Sequence, residues 1–106
     1  MTHTTSTLLL STLFTASLLA STTALARDLG PDEAIRLREA GTIQALDKLN
    51  QQALEQHPGG KIHETELEER TGRYVYQLEV IDAQGLEWDI EFDASTGALL
   101  HNHQDK

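Results

Sequence analysis

The sequence predicts an α+β fold in which N-terminal helices pack on one face of a small antiparallel sheet of three to four strands. Three period-2 runs carry the sheet: Ile62 to Glu69, Tyr74 to Asp82 and Leu86 to Asp93. The turn signals Thr71-Gly72, Ala83-Gln84-Gly85 and Asp93-Ala94-Ser95-Thr96-Gly97 punctuate them. Two helix-forming segments with their own start and stop signals precede the runs.

The first helix opens at Gly30-Pro31-Asp32-Glu33, where proline suits the first helical position and two acids meet the positive end of the helix dipole. It is expected over Pro31 to Ala40, with Ala34, Leu37 and Ile35 on the buried edge and Gly41 as a left-handed cap. The second begins near Ala45. Its apolar stripe of Leu46, Leu49, Ala53 and Leu54 is narrow and wants a sheet to lie on, and Pro58-Gly59-Gly60 stops it.

The third run alternates Leu86, Trp88, Ile90 and Phe92 with Glu87, Asp89, Glu91 and Asp93, one apolar face and one of carboxylates. The second places Tyr74, Tyr76, Leu78 and Val80 on the core face and Val75, Gln77, Glu79 and Ile81 on the other. The first run, with Glu64, Glu66, Glu68 and Glu69, is poor in apolar residues and is expected at a sheet edge. Ala98 to His101 is a candidate short fourth strand, and the residues beyond it read as a polar tail.

Residues 1–26 read as an export signal rather than as part of the fold. Leu8 to Ala20 is an apolar stretch of 13 residues interrupted by Ser11, Thr12, Thr15 and Ser17, whereas a bilayer crossing needs roughly 20. Ala24-Leu25-Ala26 supplies the small-x-small site at which such signals are cut. Cleavage would leave residues 27–106 as a single domain with a core at about 31–100, soluble, without a stable membrane anchor, and periplasmic or secreted. All 17 acids and all 8 Lys and Arg lie in that remainder, so the net charge stays -9. That charge repels nucleic acid and anionic membranes and favours a basic partner or solubility.

The chain contains no cysteine. A disulfide framework, a thiolate metal site, a cysteine nucleophile and a lipid-modified N-terminal cysteine are thereby excluded. A domain of this size without such staples is expected to be stable by only about 3 to 5 kcal/mol.

The ordered set Pro58-Gly59-Gly60-Lys61-Ile62, Glu66-Leu67-Glu68, Gly72-Arg73-Tyr74-Val75-Tyr76, Val80-Ile81-Asp82-Ala83 with Gly85, and Phe92 to Leu100 resembles the PepSY domain. The likeness covers about residues 31 to 100, and Glu33 to Ile43 also looks like the leader of its small, single-copy exported members. The resemblance implies a helix-on-sheet domain of the kind found in propeptides of thermolysin-like metallopeptidases and in stand-alone envelope proteins, with a proposed role in peptidase inhibition or control. This chain carries no peptidase, so any such action would be in trans. The family has no catalytic motif to carry over.

The residues themselves offer few candidate sites. Glu87, Asp89, Glu91 and Asp93 stand about 6.6 to 6.8 Å apart along one strand face, within the roughly 5 to 9.5 Å that glycoside hydrolysis needs between carboxyls. An open strand face provides neither a sugar-sized cleft nor an acid with a raised pKa, so the set reads as a solvated or docking face. Together with Val75 and Ile81, the residues Glu87, Asp89 and Glu91 form the candidate surface for an unknown envelope partner, a peptidase or another envelope protein. Asp93 to Gly97 lacks the spaced acids of a calcium loop and reads as a turn, with Asp93 accepting from the following amides and Gly97 at positive φ. His101 and His103 point the same way on an extended chain and are candidate metal ligands, with His63 or His57 as a third. No serine elbow or phosphate loop is present, and Tyr74, Tyr76 and Trp88 share the core periodicity. These features predict a non-enzymatic interaction or regulatory module without a cofactor, the alternative being a periplasmic metal-binding or metal-sensing protein that uses the C-terminal histidines.

Overall fold

The computed structural model describes residues 26–105, so the expected export signal lies outside the described residues apart from Ala26. The elements in order are β1 (Ala26–Asp28), α1 (Pro31–Glu39), α2 (Leu46–Gln56), β2 (Lys61–Arg70), β3 (Arg73–Ile81), β4 (Glu87–Asp93) and β5 (Leu99–Gln104). The strands form one antiparallel sheet in the order β1-β2-β3-β4-β5. Both helices fall between β1 and β2 in the chain, and they cover one face of the sheet. The fold is α+β as expected, with five strands rather than three to four.

The core lies between α2 and the sheet. Leu49 and Ala53 are fully buried against Leu67, Tyr76, Leu78, Val80, Ile90 and Phe92, and Ile43 and Ala94 plug the end of the layer. Two main-chain bonds fasten that end, from Gln44 N–H to the Ala94 carbonyl at 2.9 Å and from Ala94 N–H to the Tyr74 carbonyl at 2.8 Å. Helix α1 starts at Pro31 and ends at a cap on Ala40, followed by Gly41 at φ +77°. Ala34 and Leu37 pack on the core, but Ile35 is 55% exposed, because α1 touches the layer along a narrower strip than its sequence suggests.

Four further expectations are corrected. Strand β2 is not an edge: β1 pairs with it over Glu68 to Arg70, and Leu29 N–H extends the contact to the Leu67 carbonyl at 2.8 Å. Its acids remain accessible because β1 covers only its last third. Leu86 is 44% exposed, since it belongs to the β3–β4 turn rather than to the strand. Trp88 is only half-buried, at the rim of the core, and Phe92 is the largest fully buried side chain. Finally, His101, Asn102, His103 and Gln104 are not a tail. They are paired with Glu91, Ile90, Asp89 and Trp88 as the outer strand.

Candidate functional site

The register places every second residue of the sheet on the face away from the helices. Strand β2 contributes Glu64, Glu66, Glu68 and Arg70, β3 contributes Val75, Gln77, Glu79 and Ile81, and β4 contributes Glu87, Asp89, Glu91 and Asp93. Asp28 of β1 and both His101 and His103 of β5 complete it. This open face therefore gathers nearly all the candidate residues, and it carries far more carboxylates than cations.

Its middle is a shallow concavity of about 300 Å³, floored by Gln77 and walled by Glu64, Glu66, Glu79, Asp89, Glu91 and His101. At one side, carboxylate oxygens of Asp28, Glu66 and Glu68 lie within 4.8 Å of one another, and at the other so do those of Glu79, Glu87 and Asp89. The expectation that this face holds no acid with a raised pKa is corrected, because the carboxylates crowd one another. Partial desolvation and the charges of Asp28 and Glu68 raise the pKa of Glu66, and a shared hydrogen bond with Asp105, then desolvation, raises that of Glu87.

One end of the face is neutralised. Arg70 donates from Nε to Glu68 at 2.7 Å and from both terminal nitrogens to Glu91 at 3.1 and 3.2 Å, reaching from β2 across β3 to β4. Gln77 adds a bond to Glu91 at 3.0 Å. Arg70, with Gln77, holds the Glu91 carboxyl below its ordinary value, and the two carboxylates raise Arg70 in turn. Arg73 approaches Asp93 at 3.6 Å from the next position.

The candidate partner-binding set is thus split. Val75 is 1% exposed, not a free apolar contact, because Arg70 passes over β3 at its position and Glu68 and Asp93 flank it in register. Glu91 is engaged by Arg70. Ile81, Glu87 and Asp89 are half-buried on the open face at the other end. Sequence periodicity assigned the face of each residue correctly; it could not show that the lone arginine at the end of an acidic run would fold back over two strands.

Asp93 caps its turn as expected, accepting from Ser95 N–H at 2.9 Å and Thr96 N–H at 3.1 Å, with Gly97 at φ +82°. His101 and His103 sit together with ring centroids 3.9 Å apart. Neither expected third ligand joins them. His57 bonds Asn102 Oδ1 at 2.9 Å and packs against Trp88 at 4.3 Å on the helix side, while His63 bonds Glu79 at 2.9 Å. Among the described residues no helix is long and apolar enough to cross a membrane.

The family model for PepSY, the peptidase propeptide and YPEB domain, matches residues 44–101, more than half of the chain. The chain belongs to the PepSY family. The match takes in α2 and β2 to β4 entirely and ends within β5, so the PepSY segment contains the concavity and the Arg70 bridge and leaves out α1 and β1. No curated protein and no solved structure gives a significant match. PepSY membership connects the chain with peptidase-related propeptide and regulatory modules.

Proposed function

We propose that this PepSY domain is an exported, periplasmic or secreted, non-enzymatic module that modulates an envelope peptidase by docking it on the open face of the sheet. The observation that carries the reading is the face itself: helices cover one side of the sheet, and the other presents a carboxylate-lined concavity. A shallow trough on a sheet suits contact with a protein surface better than enclosure of a small substrate. The acids Glu64, Glu66 and Asp89 favour a basic surface on the partner, steering its approach in a salt-dependent way.

The purified chain is to be added to an envelope metallopeptidase of the thermolysin-like class while peptide hydrolysis is followed. The expected result is slowed hydrolysis and co-elution of the two proteins, both weakened by salt and by the Glu64→Gln, Glu66→Gln, Asp89→Asn variant. Unchanged hydrolysis and separate elution at large molar excess would overturn the reading.

A further inference from the structure

The outer rim of β5 presents His101 and His103 side by side. Among the described residues, strand β5 has a neighbour on one side only. Asp105 N–H donates to the Glu87 carbonyl at 2.8 Å, which makes that pair a hydrogen-bonded one. Alternation along an antiparallel ladder then turns the main-chain groups of His103 and His101 inward to β4, and those of Gln104 and Asn102 outward, away from every other described strand.

His101 and His103 share the open face with touching rings, yet two imidazoles fall short of the three or four protein ligands a transition ion takes. His57 is on the opposite side of the sheet, and His63 is three strands away, at about 4.8 Å per strand. Among the described residues no carboxylate joins either histidine in a group of three convergent donors, so further ligands are sought beyond them.

We propose that a second copy of this chain completes the site by pairing β5 with β5, so that four imidazoles close on one divalent transition ion. A two-fold axis through Asn102 sets His101 opposite the partner's His103, and His103 opposite the partner's His101. These are non-hydrogen-bonded positions on the outward side, where facing Cα atoms approach to about 4.5 Å and side chains are closest. All four rings then lie on the same face, at the corners of a rectangle of about 5 by 7 Å, from which ring nitrogens can converge on one ion. Imidazole ligands select zinc, nickel or copper over hard cations. Asp89, the cross-strand partner of His103, is not taken up by Arg70 as Glu91 is, so its carboxylate is available as an acceptor for that ring's second nitrogen. A second copy is the occupant because the two-fold doubles the ligand set without any new residue type. A net charge of -9 on each chain opposes association, so the ion and not the bare edge drives pairing.

The test is independent of the peptidase assay, since it needs only the chain and an ion. The purified chain is titrated with zinc or nickel chloride alone, and mass and metal content are read by light scattering and native mass spectrometry. The expected result is a monomer in chelator and a dimer holding one ion per two chains. His101→Ala and His103→Ala should each weaken binding about tenfold or more and abolish the dimer. Gln104→Pro keeps both histidines but removes an outward N–H at an edge that tolerates proline; it should stay folded by circular dichroism and fail to dimerise. One ion per monomer, no binding of micromolar ion, or a metal-dependent dimer that survives Gln104→Pro or the double histidine variant would overturn the proposal.

Discussion

Asp82 does the work of three residues at the β3–β4 turn. Its Oδ1 accepts from the N–H groups of Gln84 and Leu86, both at 2.9 Å, and its Oδ2 accepts from Trp88 Nε1 at 2.9 Å. The Trp88 bond above all, then the backbone bonds, hold its carboxyl below the ordinary aspartate value. Asp82→Ala should therefore lower the melting temperature and shift Trp88 fluorescence to the red; an unchanged emission maximum would show that Trp88 is positioned by His57 alone. The aromatic residues also rank differently from what their sizes suggest. Phe92 is fully buried, so Phe92→Ala is expected to cost about 3 to 5 kcal/mol, comparable to the stability of a domain of this size, and to unfold it. Half-buried Trp88 should cost only about 2 kcal/mol on replacement by alanine, measured by urea denaturation followed by circular dichroism.

Where elements meet, single residues decide whether the layers fit. Gly60 joins α2 to β2, and a Cβ there would stand 2.9 Å from the His57 carbonyl oxygen and 3.1 Å from that of Ile81. Both obstacles are backbone and cannot swing aside, so Gly60→Ala should destabilise by about 1 to 3 kcal/mol, read from the urea midpoint. Arg70 links β2 to β4 across β3, and Arg70→Gln should cost about 1 to 2 kcal/mol at neutral pH after allowance for partial exposure. Because Arg70 lowers the Glu91 pKa, its benefit is present above the ordinary glutamate value of 4.5 and lost as pH falls through the folded value. The gap between the two proteins should thus narrow in acid.

The helices, the three long strands and the faces of their residues were legible from periodicity and turn chemistry, since Gly72, Gly85 and Gly97 do adopt positive φ. Strand β1 was not legible, because three exposed residues carry no period. Strand β5 was underestimated because Asn102 and Gln104 on its helix side are polar, and Asn102 is held by His57 and not by apolar packing. Val75 was misread for a related reason: periodicity reports the side of a sheet, while its burial comes from a guanidinium two strands long in reach.

For the whole molecule, two sets of carboxyls oppose each other in pH. Glu66 and Glu87 have raised folded values, so each imposes a cost at neutral pH that is relieved as pH falls through that value. Glu33, beside Arg27, together with Asp82 and Glu91, has a lowered folded value and contributes stability above its unfolded value that is lost in stronger acid. Stability is expected to rise as pH falls from neutrality toward the ordinary glutamate value of 4.5 and to drop in stronger acid. Urea midpoints across that range check it; a monotonic fall from pH 7 would show that the crowded acids of the open face are fully solvated.

The order β1-β2-β3-β4-β5 means that every strand pairs only with its neighbours in the chain. No crossover has to close before a ladder can grow, so the β2–β3 hairpin, with the longest run of paired residues, can form first and template β4 and then β5 by successive zipping. Refolding should be rapid for a sheet protein, with Leu78→Ala slowing the folding limb and changes in β5 acting mainly on unfolding. Of the hairpin-linked strands the last to arrive would also be the first to leave, which makes the outer rim more readily exchanged with solvent than β2 to β4.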